Sequence, residues 1–221
     1  MDADIIRTIL VYAIPVVFAI TLHEVAHGWV ARYFGDPTAA MQGRLTLNPI
    51  AHIDLVGTVI MPIALLVLTE GKFVFGYAKP VPVNYANLRN PKNNMIWVAL
   101  AGPMTNFIQA IFWAIVLTIL FAVDVKESFF LSMAFAGIMV NLVLWALNLF
   151  PLPPLDGGRI LVGLLPYEAA RKVASVERYG FIILLVLLFT NILSHFWLSP
   201  LVELASKTFA WFFPILNALF A

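Results

Sequence analysis

Two long stretches without a charged side chain limit most strongly what this chain of 221 residues can fold into. Residues 95–123 and 129–150 contain no Asp, Glu, Lys or Arg over 29 and 22 positions. A helix of about 20 predominantly apolar residues crosses a lipid bilayer, and backbone polar groups within hydrocarbon need partners inside the same helix. The sequence therefore predicts an all-α polytopic membrane protein.

Composition supports this prediction and narrows the chemistry. Apolar residues make up 62% of the chain and charged residues 11%, whereas a soluble domain carries about 25% charged residues. The net charge of +1 and the lack of a basic stripe give no reason to expect a nucleic-acid partner. Because the chain has no cysteine, a metal ion would have to take nitrogen and oxygen ligands.

Five to six hydrophobic segments are expected along the chain. The ambiguous one, residues 56–69, is short and has Pro62 in its middle. The other five are long enough to span a bilayer, at about 5–34, 95–123, 129–150, 180–198 and 200–220.

The segments are expected to form one domain over residues 1–221. Its core would occupy about residues 5–165, and two additional transmembrane helices would follow at about 180–220. Residues 167–178 are charged and amphipathic, which predicts a helix on the membrane surface.

Residues 72–84 have a different pattern, in which aromatic and small side chains alternate. This pattern predicts a short extended or hairpin segment, with Pro80 and Pro82 tolerated only at an edge. An extended segment of this kind could pair with an unwound strand of another protein.

A cluster of ionisable residues lies where the first apolar segment should be buried in lipid. His23-Glu24-Val25-Ala26-His27 follows residues 5–22, which are almost wholly apolar. Ionisable groups at membrane depth are costly and usually functional. On a helix, His23 and His27 share one face and can bind one metal ion. Glu24 lies beside them, placed to take a proton from a water molecule that zinc activates.

Catalytic zinc usually has three protein ligands, so a third is expected elsewhere. His52 and His195 are candidates, but Asp156 is the strongest, since it follows a charge-free segment and three prolines and precedes two glycines. Aspartate on irregular backbone at membrane depth implies a polar cavity. The alternative is an Asp156 that caps a helix in a surface loop; the need for a third ligand favours the metal.

Three motifs in this order resemble those of the site-2 proteases, which are intramembrane zinc metalloproteases. They are His23-Glu24-x-x-His27, Ala101-Gly-Pro-Met-Thr-Asn106 and Asn148-x-x-Pro-x-x-Pro-Leu-Asp156-Gly. The resemblance covers roughly residues 15–165. Residues 43–54 and 76–84 are similar to a compact prokaryotic branch of the family, for which we expect no PDZ or CBS domain.

The resemblance implies a zinc-dependent intramembrane endopeptidase with one Zn²⁺ per chain, bound by His23, His27 and Asp156. Glu24 would be the general base, and Asn148 would hold the substrate backbone or the oxyanion. Asn106 would either contact substrate or pair two helices, which is worth about 0.6 kcal/mol on average. The expected substrate is a single-span transmembrane protein or peptide, and a homo-oligomer is left open.

A metal bound between the first helix and the Asp156 loop constrains the topology. Both must meet near one face of the bilayer, so we expect residues 56–69 to be re-entrant or hairpin-like. The loops on the metal side, 32–94 and 151–179, then hold ten Lys and Arg, against Arg7 and Lys126 on the other face. Positive residues favour the cytoplasm, which predicts a multi-pass protein of the cell membrane whose site opens toward the cytoplasmic side.

Two other classes of function compete with proteolysis. A metal-ion transporter would also place His, Glu and Asp within the membrane, and an inactive relative would serve as a scaffold. Roles for the remaining polar residues are less constrained: His52 and Asp54 would orient a ligand or cap an interface. His195 would lie at the interface, and Glu203 and Lys207 would form an ion pair on the last helix.

Overall fold

The computed structural model describes residues 3–61, 64–65 and 76–214. Within these ranges the chain is helical and contains no β-strand, which confirms the all-α prediction. The α-helices are α1 (Ala3–Tyr33), α2 (Thr38–Met41), α3 (Pro91–Ala122), α4 (Ser128–Asn148), α5 (Asp156–Leu164), α6 (Tyr167–Ser175), α7 (Glu177–Phe189) and α8 (Ser199–Phe212). Short turns of 3₁₀ or π-helix occupy Pro49–His52, Leu55–Ile60, Tyr85–Asn87 and Ser194–Leu198.

Three of these helices, α1, α3 and α4, are long and apolar enough to cross a membrane. They are the segments that the sequence predicted at about 5–34, 95–123 and 129–150. The helix α3 begins earlier than predicted, at Pro91, because proline fits the first turn of a helix, where its missing N–H is not needed.

The C-terminal part differs from the prediction of two separate spanning helices. Among the described residues, the axis of α7 and that of the stretch from Ser194 through α8 differ in direction by 83°, and the two together make at most one span. The described part therefore has three or four candidate spans rather than five to six. Asn191 takes the left-handed conformation (φ 58°) just after α7, and Pro200 lies in the first turn of α8. Asn191 therefore interrupts the segment predicted as one helix at about 180–198, whereas Pro200 agrees with the predicted start of the last helix. Residues 215–220 lie outside the described part.

The chain between α1 and α3 leaves and returns at the same end of the bundle. The Arg89 N–H donates to the Phe34 carbonyl oxygen at 2.9 Å, so the two ends of this connection meet. That agrees with the parity argument, since a single full crossing by residues 56–69 would separate them. Residues 62–63 and 66–69 lie outside the described part.

Residues 76–84, called the strap below, have neither helical nor strand structure and run as an irregular segment. The Tyr77 N–H donates to the Gly57 carbonyl at 3.0 Å and the Lys79 N–H to the His52 carbonyl at 2.9 Å. The strap is therefore attached to the turns that precede it. Residues 72–75 of the predicted extended segment fall outside the described part.

The spanning helices pack through small residues. Trp113 on α3 lies against Gly137 on α4, where an added Cβ would meet the indole at 2.3 Å. Phe209 on α8 joins the same buried cluster. Since lipid removes the hydrophobic driving force between helices, close packing of this kind is what holds them together.

Candidate metal centre

Two imidazoles on α1 lie side by side, as the four-residue spacing predicts. The ring centroids of His23 and His27 are 4.6 Å apart, and their Nε2 atoms are 3.0 Å apart. His27 precedes the end of α1 by six residues, which corresponds to about 9 Å along a helix. The pair is therefore within the apolar helix but close to the end where the connection to α3 begins and returns.

The carboxylate of Asp156 completes a triangle of donor atoms. Its Oδ2 lies 3.3 Å from Nε2 of His23 and 3.4 Å from Nε2 of His27. These three residues form a group that can hold a metal ion. Oδ2 is buried and has no hydrogen-bond partner among the described residues, which leaves it available as a ligand.

Tight backbone packing brings Asp156 to this position. The loop after α4 contains a cis peptide bond between Pro153 and Pro154. Cβ atoms added at Gly157 and Gly158 would lie 2.2 Å from the Leu149 carbonyl oxygen and 2.1 Å from the Pro153 nitrogen. Only glycine allows the first turn of α5 to press against the loop in this way.

The tautomer of His27 follows from a main-chain contact. Its Nδ1 lies 2.7 Å from the carbonyl oxygen of Val98 on α3. A carbonyl only accepts hydrogen bonds, so Nδ1 carries the proton and donates. When the ring is neutral, the lone pair of Nε2 therefore points at the triangle.

The tautomer of His23 is fixed through two buried asparagines. Asn141 donates from Nδ2 to the carbonyl of Gly137 at 2.9 Å, so its Oδ1 accepts from Nδ2 of Asn106 at 3.0 Å. Asn106 also donates to the carbonyl of Ala19 at 3.1 Å. Its Oδ1 must then accept from Nδ1 of His23, at 2.7 Å, and Nε2 of His23 is left with its lone pair.

Three electron-rich atoms thus face one another within 3.4 Å, and their own residues supply no donor between them. A positive charge at the centre is needed to hold them there. In a tetrahedral zinc site with ligands at about 2.0–2.1 Å, neighbouring ligand atoms are about 3.3 Å apart. The three separations bracket this value, so the residues present fit a zinc ion.

Gly102 on α3 makes room for the two imidazoles. A Cβ at this position would lie 2.3 Å from Nε2 of His27 and 2.5 Å from Cε1 of His23. Any side chain here would collide with both imidazoles. The sequence motif drew attention to Gly102, but residue types alone did not reveal this function.

A cavity of about 350 Å³ opens beside the triangle. Glu24 and Asn148 both line it, together with the strap residues Pro80, Val81 and Pro82. One oxygen of Glu24, Oε2, accepts a hydrogen bond from the Val81 N–H at 2.8 Å. The amide of Asn148 donates to the Leu144 carbonyl at 3.0 Å. Glu24 and Asn148 therefore lie at one cavity.

Asn106 does not line this cavity. Its side chain is 0% exposed and bridges α1, α3 and α4 behind His23. The pairing of helices that the sequence allowed is therefore present, and the same amide also orients a candidate ligand.

The other polar residues lie apart from the triangle. His52 is buried and its Nε2 contacts the Thr46 carbonyl at 2.9 Å. Asp54 caps the turn Leu55–Ile60 by accepting from two backbone N–H groups, which favours capping of the two roles left open for it. His195 packs edge-on against Phe196 at 4.7 Å between ring centroids, and Lys207 pairs with Glu203 at 2.6 Å.

Two residues that hold the strap were given no role by the sequence. Arg44 donates from Nη2 to the carbonyls of Lys79 and Pro80 at 3.0 and 3.3 Å. Asp36 is buried and accepts from the Asn84 N–H at 2.7 Å and from Nδ2 of Asn87 at 2.9 Å. Both contacts join residues more than 30 positions apart, which no local pattern indicates.

Comparison with known proteins gives a consistent result. The chain matches the profile of peptidase family M50 over residues 11–135 and 124–193. It is 42% identical over 187 residues to a Bacillus subtilis protein named "Putative zinc metalloprotease YwhC", covering 82% of this chain and 81% of that protein. It is 32% identical over 195 residues to "Putative zinc metalloprotease Rip2" of Mycolicibacterium smegmatis, covering 88% of this chain and 70% of the relative. No solved structure matches the chain.

Proposed function

Because the chain belongs to peptidase family M50, we propose that this zinc metalloprotease acts within the membrane. It would hydrolyse peptide bonds within or near transmembrane segments of other membrane proteins. The observation that carries the proposal is the triangle of electron-rich atoms on His23, His27 and Asp156, with edges of 3.0, 3.3 and 3.4 Å. It lies inside a bundle whose helices α1, α3 and α4 can span a bilayer.

The three residues of the triangle are the proposed ligands of one zinc ion. When bound, zinc lowers the pKa of a coordinated water to about 7 and polarises a carbonyl oxygen. The protein orients both imidazoles through Val98 and Asn106, an arrangement that typically strengthens metal binding.

Glu24 is the proposed general base. It adjoins His23 in sequence and lines the same cavity. Its carboxylate would accept a proton from the attacking water and then donate it to the leaving amine. The cavity is bounded by polar side chains, as water access at membrane depth requires.

Asn148 is the proposed contact to the substrate backbone. The Leu144 carbonyl uses one N–H of its amide, and a primary amide has a second N–H and a carbonyl oxygen. These groups can bond the main chain of a substrate segment that has been unwound from its helix. Such unwinding is necessary because a transmembrane helix hides its peptide bonds within its own hydrogen bonds.

The site is proposed to open toward the cytoplasm of a cell-membrane protein. The triangle lies about 9 Å from the end of α1, on the side where α1 ends and α3 begins. The loops on this side carry ten Lys and Arg, and such residues favour the cytoplasmic face. The proposed substrate is a single-span transmembrane protein or peptide.

Reconstitution in lipid vesicles with a single-span substrate tests the proposal, with the wild type compared with Glu24→Gln. A protease loses cleavage in the variant while zinc content stays at one per chain. A transporter would retain zinc flux in both forms, and a scaffold would cleave in neither. The described residues contain one cluster of metal-binding type, which gives no support to a transport pathway.

A further inference from the structure

The strap carries one N–H that points at Glu24. Val81 lies between Pro80 and Pro82, and proline has no backbone N–H. Val81 is therefore the one donor within this tripeptide, and it donates to Oε2 of Glu24 at 2.8 Å. The contact joins residues 57 positions apart at the edge of the cavity.

Part of the strap's hydrogen-bonding capacity is used within the protein. The N–H groups of Tyr77, Lys79 and Val81 bond Gly57, His52 and Glu24 within the protein. Pro80 and Pro82 have no N–H. Within residues 77–82, the Ala78 N–H is then the one left for edge pairing with a substrate.

The strap is held on both sides of Val81 and packs against α1. Arg44 holds the carbonyls of Lys79 and Pro80, and Asp36 holds the N–H of Asn84. Val81 is 6% exposed. It packs where α1 has Gly28, whose added Cβ would lie 2.8 Å from Cγ1 of Val81. The position of the Val81 N–H is thus set from three sides.

We propose that Val81 is a positioning residue for Glu24: its N–H holds Oε2, which aims the other carboxylate oxygen, Oε1, at the water to be deprotonated. This inference rests on the proposed function, since it assigns an orienting group to the general base. A carboxylate held by a backbone N–H keeps one rotamer, and proton transfer requires the base within hydrogen-bond reach in a defined direction. The strap then serves as a support for the base and not as a lid.

Substitution Val81→Pro removes the N–H while keeping extended backbone between two prolines. We expect kcat to fall about 10- to 100-fold, a part of what a general base contributes, with KM within twofold and one zinc per chain. Ala78→Pro makes the same kind of change in the strap at a residue that does not line the cavity and should retain kcat. Val81→Ala keeps the N–H and should lower kcat less than Val81→Pro does.

Each other outcome overturns the inference. A raised KM with unchanged kcat would mean substrate pairing, and a raised kcat would mean an inhibitory lid. Unchanged kcat would mean that the contact is incidental. If Glu24→Gln stays active, the general base itself is wrongly assigned and the proposed function fails with the inference. If Glu24→Gln is inactive while Val81→Pro is fully active, the inference alone fails.

A second measurement is independent of activity and of the folding of Val81→Pro. Hydrogen exchange of the Val81 amide, followed in Glu24 variants, reports the bond directly. Glu24→Gln retains an acceptor oxygen and should keep the amide protected, whereas Glu24→Ala should speed its exchange at least tenfold. Equal exchange in both variants would show that Glu24 does not hold this N–H.

Discussion

Replacement of Asn106 by leucine tests whether a buried amide, far from any solvent, controls metal binding. Leucine is similar in volume but has no polar atom. The change leaves the Nδ1–H of His23 and the Oδ1 of Asn141 without their partner, and removes a donor to the Ala19 carbonyl. The ring of His23 is then free to rotate or to change tautomer, so its Nε2 no longer points reliably at the triangle.

The expected size follows from these contacts. Loss of a group that orients a metal ligand typically lowers affinity about 10- to 100-fold, or about 1.4–2.7 kcal/mol. Each buried polar group left unpaired costs about 1–3 kcal/mol of folding free energy. Two orphaned side-chain groups thus predict a loss of about 2–6 kcal/mol. Zinc affinity is measured by competition with a chelator in detergent, and stability by thermal unfolding with and without zinc.

Gln109→Leu is the matched control. Gln109 lies one turn further along α3, is also buried, and its Nε2 has no hydrogen-bond partner among the described residues. Removal of an unpaired buried amide should be neutral or stabilising and should leave zinc affinity unchanged. The reasoning is refuted if Asn106→Leu binds zinc as tightly as Gln109→Leu does.

Three further predictions address other parts of the molecule. Gly102→Ala should lower zinc affinity at least tenfold, because its Cβ would collide with the imidazoles of His23 and His27 and displace them. Gly137→Ala should cost about 1–3 kcal/mol of stability by overpacking with zinc affinity retained; equal affinity losses in both would contradict this. The chain has no cysteine, so single cysteines can be introduced and labelled. A cysteine at Met41 (81% exposed) should react with a reagent on the cytoplasmic side, and a cysteine at Val123 (66% exposed) should react with a reagent on the outer side. Labelling of both positions from the same face would contradict the topology. Burial alone would raise the pKa of Asp36, but hydrogen bonds from Thr38, Asn87 and Asn84 outweigh burial and lower this pKa. The ionised carboxylate therefore stabilises the fold fully above about pH 4. This contribution to the free energy of unfolding declines as the pH falls through the folded-state pKa. Unfolding followed across that range should show this loss in the wild type and not in Asp36→Asn, and parallel curves would refute it.

The sequence contained enough information for the helices and for the pairing of donor atoms. Apolar runs of 29 and 22 residues could hardly form anything but spanning helices. The spacing of His23 and His27 placed both rings on one face, where they lie 4.6 Å apart. Asp156 was expected to join them because zinc needs a third ligand, and its carboxylate lies beside both.

What the sequence did not reveal are contacts made by the main chain and by residues far apart. The partner of His27 is the backbone carbonyl of Val98. Every residue has such a carbonyl, so residue type cannot indicate which one is the acceptor. Glu24 and Val81 are 57 positions apart, so no local periodicity connects them. The bend between α7 and α8 depends on the backbone of Asn191 and not on hydropathy. Local patterns predict local structure, whereas these contacts form only after the helices have packed.

The positions of the three donor residues along the chain also determine when the metal site can form during synthesis. Two of them lie on α1, near the start of the chain, and the third arrives with Asp156, after α3 and α4. A nascent chain offers only a pair of imidazoles when α1 enters the bilayer, and their orienting partners Val98 and Asn106 follow with α3. Tight capture of a cation therefore waits until residue 156 has been synthesised and the hairpin of α3 and α4 has inserted. The completed metal site connects the first helix to the loop after the third span, and it is the last of these contacts to form.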